Sequence, residues 1–272
     1  MSEPLLIHIH VPKCAGTTVE NHLHAELGEN GFWAPGKRTR KFPLGWFGRK
    51  YNATPRAAVK DIRAISGHFV GRSVEDMFPD RRIVRSIILR EPEALLLSYY
   101  NYRMMRYMTR GQNAYGFSLF LRATRQNFIT HFLLERWLEL PWIQLIHMRD
   151  EQKAALLDEI MASVDHVAHI GETDQLVGTI SEELGISPLA QRRNTAEANQ
   201  QMTGWKILRA GEISEADRIE LKARTNLDRY LWRRWVLKDG APFRPEPARR
   251  FVQTEIVRPR YQCERRLARM FG

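Results

Sequence analysis

The first stretch of the chain, through Gly28, constrains the fold most. Leu5-Leu6-Ile7-His8-Ile9-His10-Val11 is rich in leucine and β-branched residues and closes on Pro12, which reads as a strand. A small-residue turn follows, Lys13-Cys14-Ala15-Gly16-Thr17-Thr18. Val19, Leu23 and Leu27 then recur at fours, the spacing of an amphipathic helix ending at Gly28. Further strands are predicted at 64–69 and 82–89, and a short one at 166–170. A helix begins at Glu91-Pro92 and runs to about Arg106, because proline suits a first helical turn. Helices are also predicted over most of 117–140, at 151–163, at 174–184 before Gly185, at 214–223 with Ser214 as N-cap, and at 227–237. Strands alternating with helices imply an α/β fold in which helices flank a central, mainly parallel sheet.

Composition narrows the classes of function. Of 272 residues, 43% are hydrophobic, enough for a sizeable core, so wholesale disorder is excluded. Two cysteines, Cys14 and Cys263, rule out a disulfide scaffold, and no Cys-x-x-Cys pair offers a zinc site. No apolar run approaches the ~18 residues of a spanning helix, and the first apolar stretch lacks a basic leader. The expected location is therefore cytoplasmic, with peripheral association at a membrane left open. The 42 Lys and Arg exceed the 31 Asp and Glu by 11, and this excess of positive charge favours anionic partners.

The charge is unevenly spread. Residues 31–60 hold eight Lys or Arg and no acid, interleaved with Phe32, Trp33, Phe42, Trp46, Phe47 and Tyr51. Prolines and glycines make this a loop-rich insertion. It reads either as a cleft wall for an anionic saccharide or as a solvated basic loop with docked aromatics. Residues 239–272 form a basic tail whose arginines are first read as solvated or packed.

Three places carry chemistry. In the turn at Lys13–Thr18, the N–H groups of a helix N-terminus, the Lys13 ammonium and the Thr17 and Thr18 hydroxyls can face one anion, and Gly16 lets the chain approach it. An ordinary strand–helix turn would look similar. The spacing is not that of a Walker A loop, since the lysine precedes the glycine. In the second place, Arg90 ends a strand and Ser98 follows eight residues on, two helical turns into the next element. The third is Ser66-Gly67-His68-Phe69, where an imidazole could act as a base near neutral pH or merely end a buried strand. His8 and His10 alternate on one strand face like a metal pair, but no third ligand is apparent and no metal is expected.

Val11-Pro12-Lys13-Cys14-Ala15-Gly16-Thr17-Thr18 resembles the 5′-phosphosulfate loop of sulfotransferases that use 3′-phosphoadenosine 5′-phosphosulfate (PAPS). Ile87-Ile88-Leu89-Arg90-Glu91-Pro92 with Ser98 resembles the 3′-phosphate motif of the same family, with Glu91 replacing the usual Asp and Leu95 standing where another Arg is common. Gly67-His68 is similar to the base position of the uronyl (heparan sulfate) 2-O-sulfotransferase branch. His22, nine residues beyond Lys13, is the alternative base, at a point where other branches carry a glutamate. Weaker echoes occur at 170–174, at Arg192-Arg193-Asn194-Thr195 and at 226–230.

The resemblance spans about residues 4–237 and implies a P-loop-like three-layer fold, with a sulfotransferase domain over 1–238 and the tail outside it. It assigns donor binding to Lys13, Gly16, Thr17, Thr18, Arg90, Ser98 and Arg193, and catalysis to His68 and Lys13. The implied reaction moves a sulfuryl group from PAPS, a co-substrate, to a hydroxyl by in-line displacement (EC 2.8.2 type) without a metal. The acceptor is expected to be a saccharide or glycoconjugate, anionic or lipid-linked. A P-loop nucleotide kinase and a basic nucleic-acid-binding protein are the alternatives. Nucleic acid is not the expected partner, because the cations and aromatics match no named binding module.

Overall fold

The structure is a computed structural model, and it describes residues 3–35, 59–188, 205–244 and 249–271. In chain order the elements are β1 (Leu5–Ile9), α1 (Gly16–Gly31), β2 (Phe32–Trp33), β3 (Ala64–Gly67), β4 (Ile83–Leu89), α2 (Pro92–Met108), α3 (Phe117–Ala123), α4 (Phe128–Phe132), α5 (Trp142–His147), α6 (Asp150–Ala162), β5 (His166–His169), α7 (Thr173–Leu184), α8 (Glu215–Ala223), α9 (Asn226–Trp235) and α10 (Arg249–Phe271). A π-helical turn, Leu133–Trp137, continues α4. Two compact units divide the chain. The first comprises Met1–Arg90, Ile129–Arg192 and Leu231–Ala241; the second comprises Glu91–Phe128, Arg193–Tyr230 and Pro242–Gly272.

The first unit holds a five-stranded sheet in the order β2-β3-β1-β4-β5, and every pairing is parallel. β1 lies at its centre and all five of its residues are buried, which is why it reads as a continuous run instead of an alternating one. From β1 the chain crosses to the β2/β3 side, whereas β4 leads to β5 on the opposite side. Such a reversal between neighbouring strands opens a crevice at their carboxyl ends, the usual ligand position in an open α/β sheet. Here it falls between β1 and β4, beside the loop after β3.

Local signals explain most element ends. α1 breaks at Gly28, whose φ is 64°, and Gly185 ends α7 at φ 58°. Glu91 caps α2 with its own carboxylate, accepting from the Glu93 and Ala94 N–H groups at 3.2 and 2.6 Å. Ser214 Oγ caps α8, accepting from Asp217 N at 3.1 Å. Three elements differ from expectation, the first being α5, which falls between the helices predicted over 117–140 and 151–163. Phe32–Trp33, read as part of an irregular insertion, adds a short edge strand, while 36–58 lie outside the described residues. The C-terminal stretch read as a tail contains the long helix α10, which packs against α3 in the second unit.

A polar strip runs along one face of the buried sheet. His8 pairs in register with Ser66 and Ser86, and its Nδ1 lies 3.0 Å from Ser86 Oγ. Its Nε2 is buried with no hydrogen-bond partner among the described residues. Burial, and then the neighbouring His10, push the His8 pKa down to about 3. The unfolded chain therefore takes up this proton near pH 6.5, while the folded chain does so only near 3. Stability should fall as pH drops through that window, by about 5 kcal/mol across its full width. A His8→Leu/Ser86→Ala variant is expected to flatten the dependence of the urea midpoint on pH between 6.5 and 4. An unchanged slope would remove His8 as its cause.

Candidate functional site

The loop after β1 is built around two left-handed residues, Lys13 (φ 69°) and Ala15 (φ 58°). Neither is glycine, and a left-handed non-glycine residue costs roughly 1–2 kcal/mol. Strain of this kind collects at functional sites, and alternating backbone handedness turns successive N–H groups toward one anion. Ala15 sits at the N-cap of α1, where it has no side-chain oxygen to offer, and the first turn of α1 holds no acid. The N-terminus of α1 thus keeps its partial positive charge available to a ligand. That of α2 is already covered by Glu91. Lys13 and Thr18 are half-buried and Thr17 is exposed.

Beneath this loop lies a pair that sequence reasoning did not assign, a buried His10 and a half-buried Glu20. His10 donates from Nδ1 to Glu20 Oε1 at 2.7 Å, and Ser66 Oγ donates to the same oxygen at 3.1 Å. Burial works against ionisation of Glu20, but the bonds from His10 and Ser66 hold it below the usual carboxylate range. The other edge of the His10 ring lies over Gly16. A Cβ on Gly16 would come within 2.0 Å of His10 Cδ2 and 2.4 Å of Nε2, so no larger residue fits. One signal was legible: Glu20 lies four residues beyond Gly16, on the same face of α1.

His68 follows directly on β3. Its Nδ1 lies 3.0 Å from the backbone oxygen of His10, and its ring centroid lies 4.0 Å from that of His10. A carbonyl only accepts, so Nδ1 carries the hydrogen and Nε2 holds the basic lone pair. Burial, then His10 and Lys13, lower the pKa of His68 against the opposing pull of Glu20. His68 is therefore neutral at neutral pH. Lys13 is lowered by burial and by the charge of Arg90, whose Nη1 reaches the Lys13 carbonyl at 3.5 Å. Lys13 is thus coupled both to Arg90 and to His68, so the loops after β1, β4 and β3 form one electropositive site in the first unit.

The other expected residues fall elsewhere. His22 is buried, with Nε2 at 2.9 Å from Ser181 Oγ of α7, and burial lowers its pKa; this places its ring in the α1–α7 contact. Ser98 is half-buried in α2, in the second unit. Arg193 lies outside the described residues. The stretch 170–174 forms the entry to α7, where His169 Nδ1 accepts from Gly171 N at 2.9 Å and Glu172 Oε2 accepts from His169 N at 3.1 Å. Among the described residues, no group of three or more His, Cys, Asp or Glu could hold a metal ion. In comparisons with known proteins, no family model and no curated protein matches the chain.

Two neighbouring substitutions separate the roles in this loop. Gly16→Ala is expected to displace His10 and lower stability by about 2 kcal/mol, the scale of overpacking. Ala15→Gly, which relieves a left-handed alanine, should be neutral or stabilising by up to about 1 kcal/mol. Urea unfolding measures both. Equal midpoints for the two variants would show that His10 yields freely.

Proposed function

We propose that the chain is a sulfotransferase that moves a sulfuryl group from PAPS to the hydroxyl of a saccharide or glycoconjugate. The observation that carries this reading is the meeting of Lys13, Arg90 and His68 at the carboxyl ends of β1, β4 and β3. Cations and uncapped helix N–H groups suit an anionic donor, and a neutral imidazole with a basic Nε2 suits a hydroxyl acceptor. In this reading the acceptor oxygen forms its bond to sulfur as the sulfur–oxygen bond to the 5′-phosphate breaks. The hydroxyl proton passes to His68 Nε2. Charge gathering on the leaving phosphate is met by Lys13 and the N-terminus of α1. Arg90, and Ser98 on the sequence resemblance alone, are assigned to the donor's 3′-phosphate. His68 is favoured over His22 as base because the nearest partner of His22 is Ser181.

A nucleotide kinase is disfavoured by the lysine preceding the glycine and by the engagement of Glu20, the acid next to the loop, with His10 and Ser66. A thermal-shift comparison separates the readings. Adenosine 3′,5′-bisphosphate should stabilise the protein where ATP and a random oligonucleotide do not. Stabilisation by ATP alone would favour a kinase, and by the oligonucleotide alone a nucleic-acid binder.

Transfer assays with labelled donor and an oligosaccharide panel test the roles. Lys13→Ala is expected to lower kcat/KM by about a hundredfold or more, and His68→Asn by roughly 10²–10⁴. The pH profile should be a bell. Its acid limb should lie below 6.5, because His68 is lowered and must be neutral, and its alkaline limb below 10.5, because Lys13 is lowered and must be charged. Near-normal turnover in Lys13→Ala, or an acid limb that persists unchanged in His68→Asn, would overturn these assignments.

A further inference from the structure

The second unit carries a surface that the transfer reading does not use. On α10 the exposed residues are Pro259, Arg260, Cys263, Arg266, Leu267 and Met270. Pro259, Cys263, Arg266 and Met270 follow the i, i+4, i+7, i+11 rhythm of one helix face, with Leu267 and Arg260 along its edge. The inner face is the more polar one. Arg122 lies over the Tyr261 ring at 5.6 Å, and Arg269 lies over the Tyr107 ring at 4.8 Å. Leu267 and Met270, 57% and 66% exposed, thus point outward while tyrosines and arginines pair beneath them.

The end of α2 adjoins this face. Asn113 N donates to Arg269 O at 3.1 Å, which ties the turn after α2 to the end of α10, and Met108 in that region is 38% exposed. Arg106 and Arg110 are exposed there as well. The flanking sequence is predominantly basic. No acid occurs between Glu93 and Glu135, a stretch with five arginines, and 249–272 holds seven arginines against two glutamates. Glu264 is spent on Arg260, at 3.1 Å.

We infer that this arginine-flanked apolar face docks on an anionic lipid bilayer, lying in the headgroup layer. Arginines alone would suit any polyanion. Exposed leucine and methionine side chains gain nothing from a soluble polyanion, but they gain from insertion between lipids. A second copy of the chain is disfavoured as occupant, because it would bring like charge against like charge. No described helix is long and apolar enough to cross a membrane, so the contact is with the surface. Basic residues and an apolar contact together supply the two signals that stable peripheral attachment needs. The inference does not depend on the chemistry of the first unit.

Co-sedimentation with vesicles tests it. The full chain should sediment with vesicles of equal parts phosphatidylcholine and phosphatidylglycerol but not with phosphatidylcholine alone, and high salt should release it. Leu267→Glu/Met270→Glu should weaken binding at least tenfold with unchanged circular dichroism and thermal midpoint. A polarity-sensitive dye on the exposed Cys263 should shift to the blue on anionic vesicles and stay unshifted on heparin; the other cysteine, Cys14, is buried. Three results would overturn the inference: no sedimentation of the wild type, equal binding by the double variant, or binding to heparin in place of vesicles.

Discussion

The hydrogen bond between His10 and Glu20 is the contact on which the candidate site depends. It joins the end of the central strand to the first turns of the following helix, and Ser66 extends it to the neighbouring strand. Because the His10 ring also fills the space over Gly16, the same contact sets how closely helix and strand approach. The backbone oxygen of His10 then fixes the tautomer of His68. One hydrogen-bonded pair therefore governs the helix N-terminus, the loop that carries Lys13 and the orientation of the imidazole. Such a network specifies geometry when every member is satisfied.

Electrostatics reinforces this arrangement. Burial alone would make the site neutral, by protonating Glu20 and lowering Lys13. Glu20 instead stays ionised because hydrogen bonds from His10 and Ser66, together with the charge interactions of His10 and His68, outweigh its desolvation, and its charge opposes the lowering of the nearby histidine. Lys13 stands close to Arg90, so like charges are held together by the fold at a cost that a bound anion would relieve. The left-handed Lys13 and Ala15 express the same principle in the backbone: local conformations unfavourable by themselves are maintained by the sheet and helix around them.

Much of this was legible in the sequence. The β1–turn–α1 pattern, the strand before Arg90, the proline-started α2 and the Gly185 stop all appear where local signals put them. The site loops were legible because glycine, lysine and a strand end leave strong local marks. Other features leave none. The two-residue strand Phe32–Trp33 is created by pairing with β3, a non-local contact that no periodicity announces. His22 resembled a base in its spacing from Lys13, but Ser181, 159 residues away, engages it. Glu20 leaves only its spacing from Gly16 as a mark, and its partner His10 is shown by the fold alone. The end of the chain left packing and solvation equally open, because its ring contacts, Arg269 over Tyr107 and Arg122 over Tyr261, join residues far apart in sequence.

The parallel sheet has a consequence for how such a molecule can change over time. β3, β1 and β4 are neighbours in fixed register, so the spacing of the three site loops is set by interstrand hydrogen bonds and not by the loops themselves. Each loop can be lengthened, shortened or recomposed at its strand end while the other two keep their positions. Such a scaffold separates innovation from integrity. New side chains can be tried at one strand end without rebuilding the loop at the next.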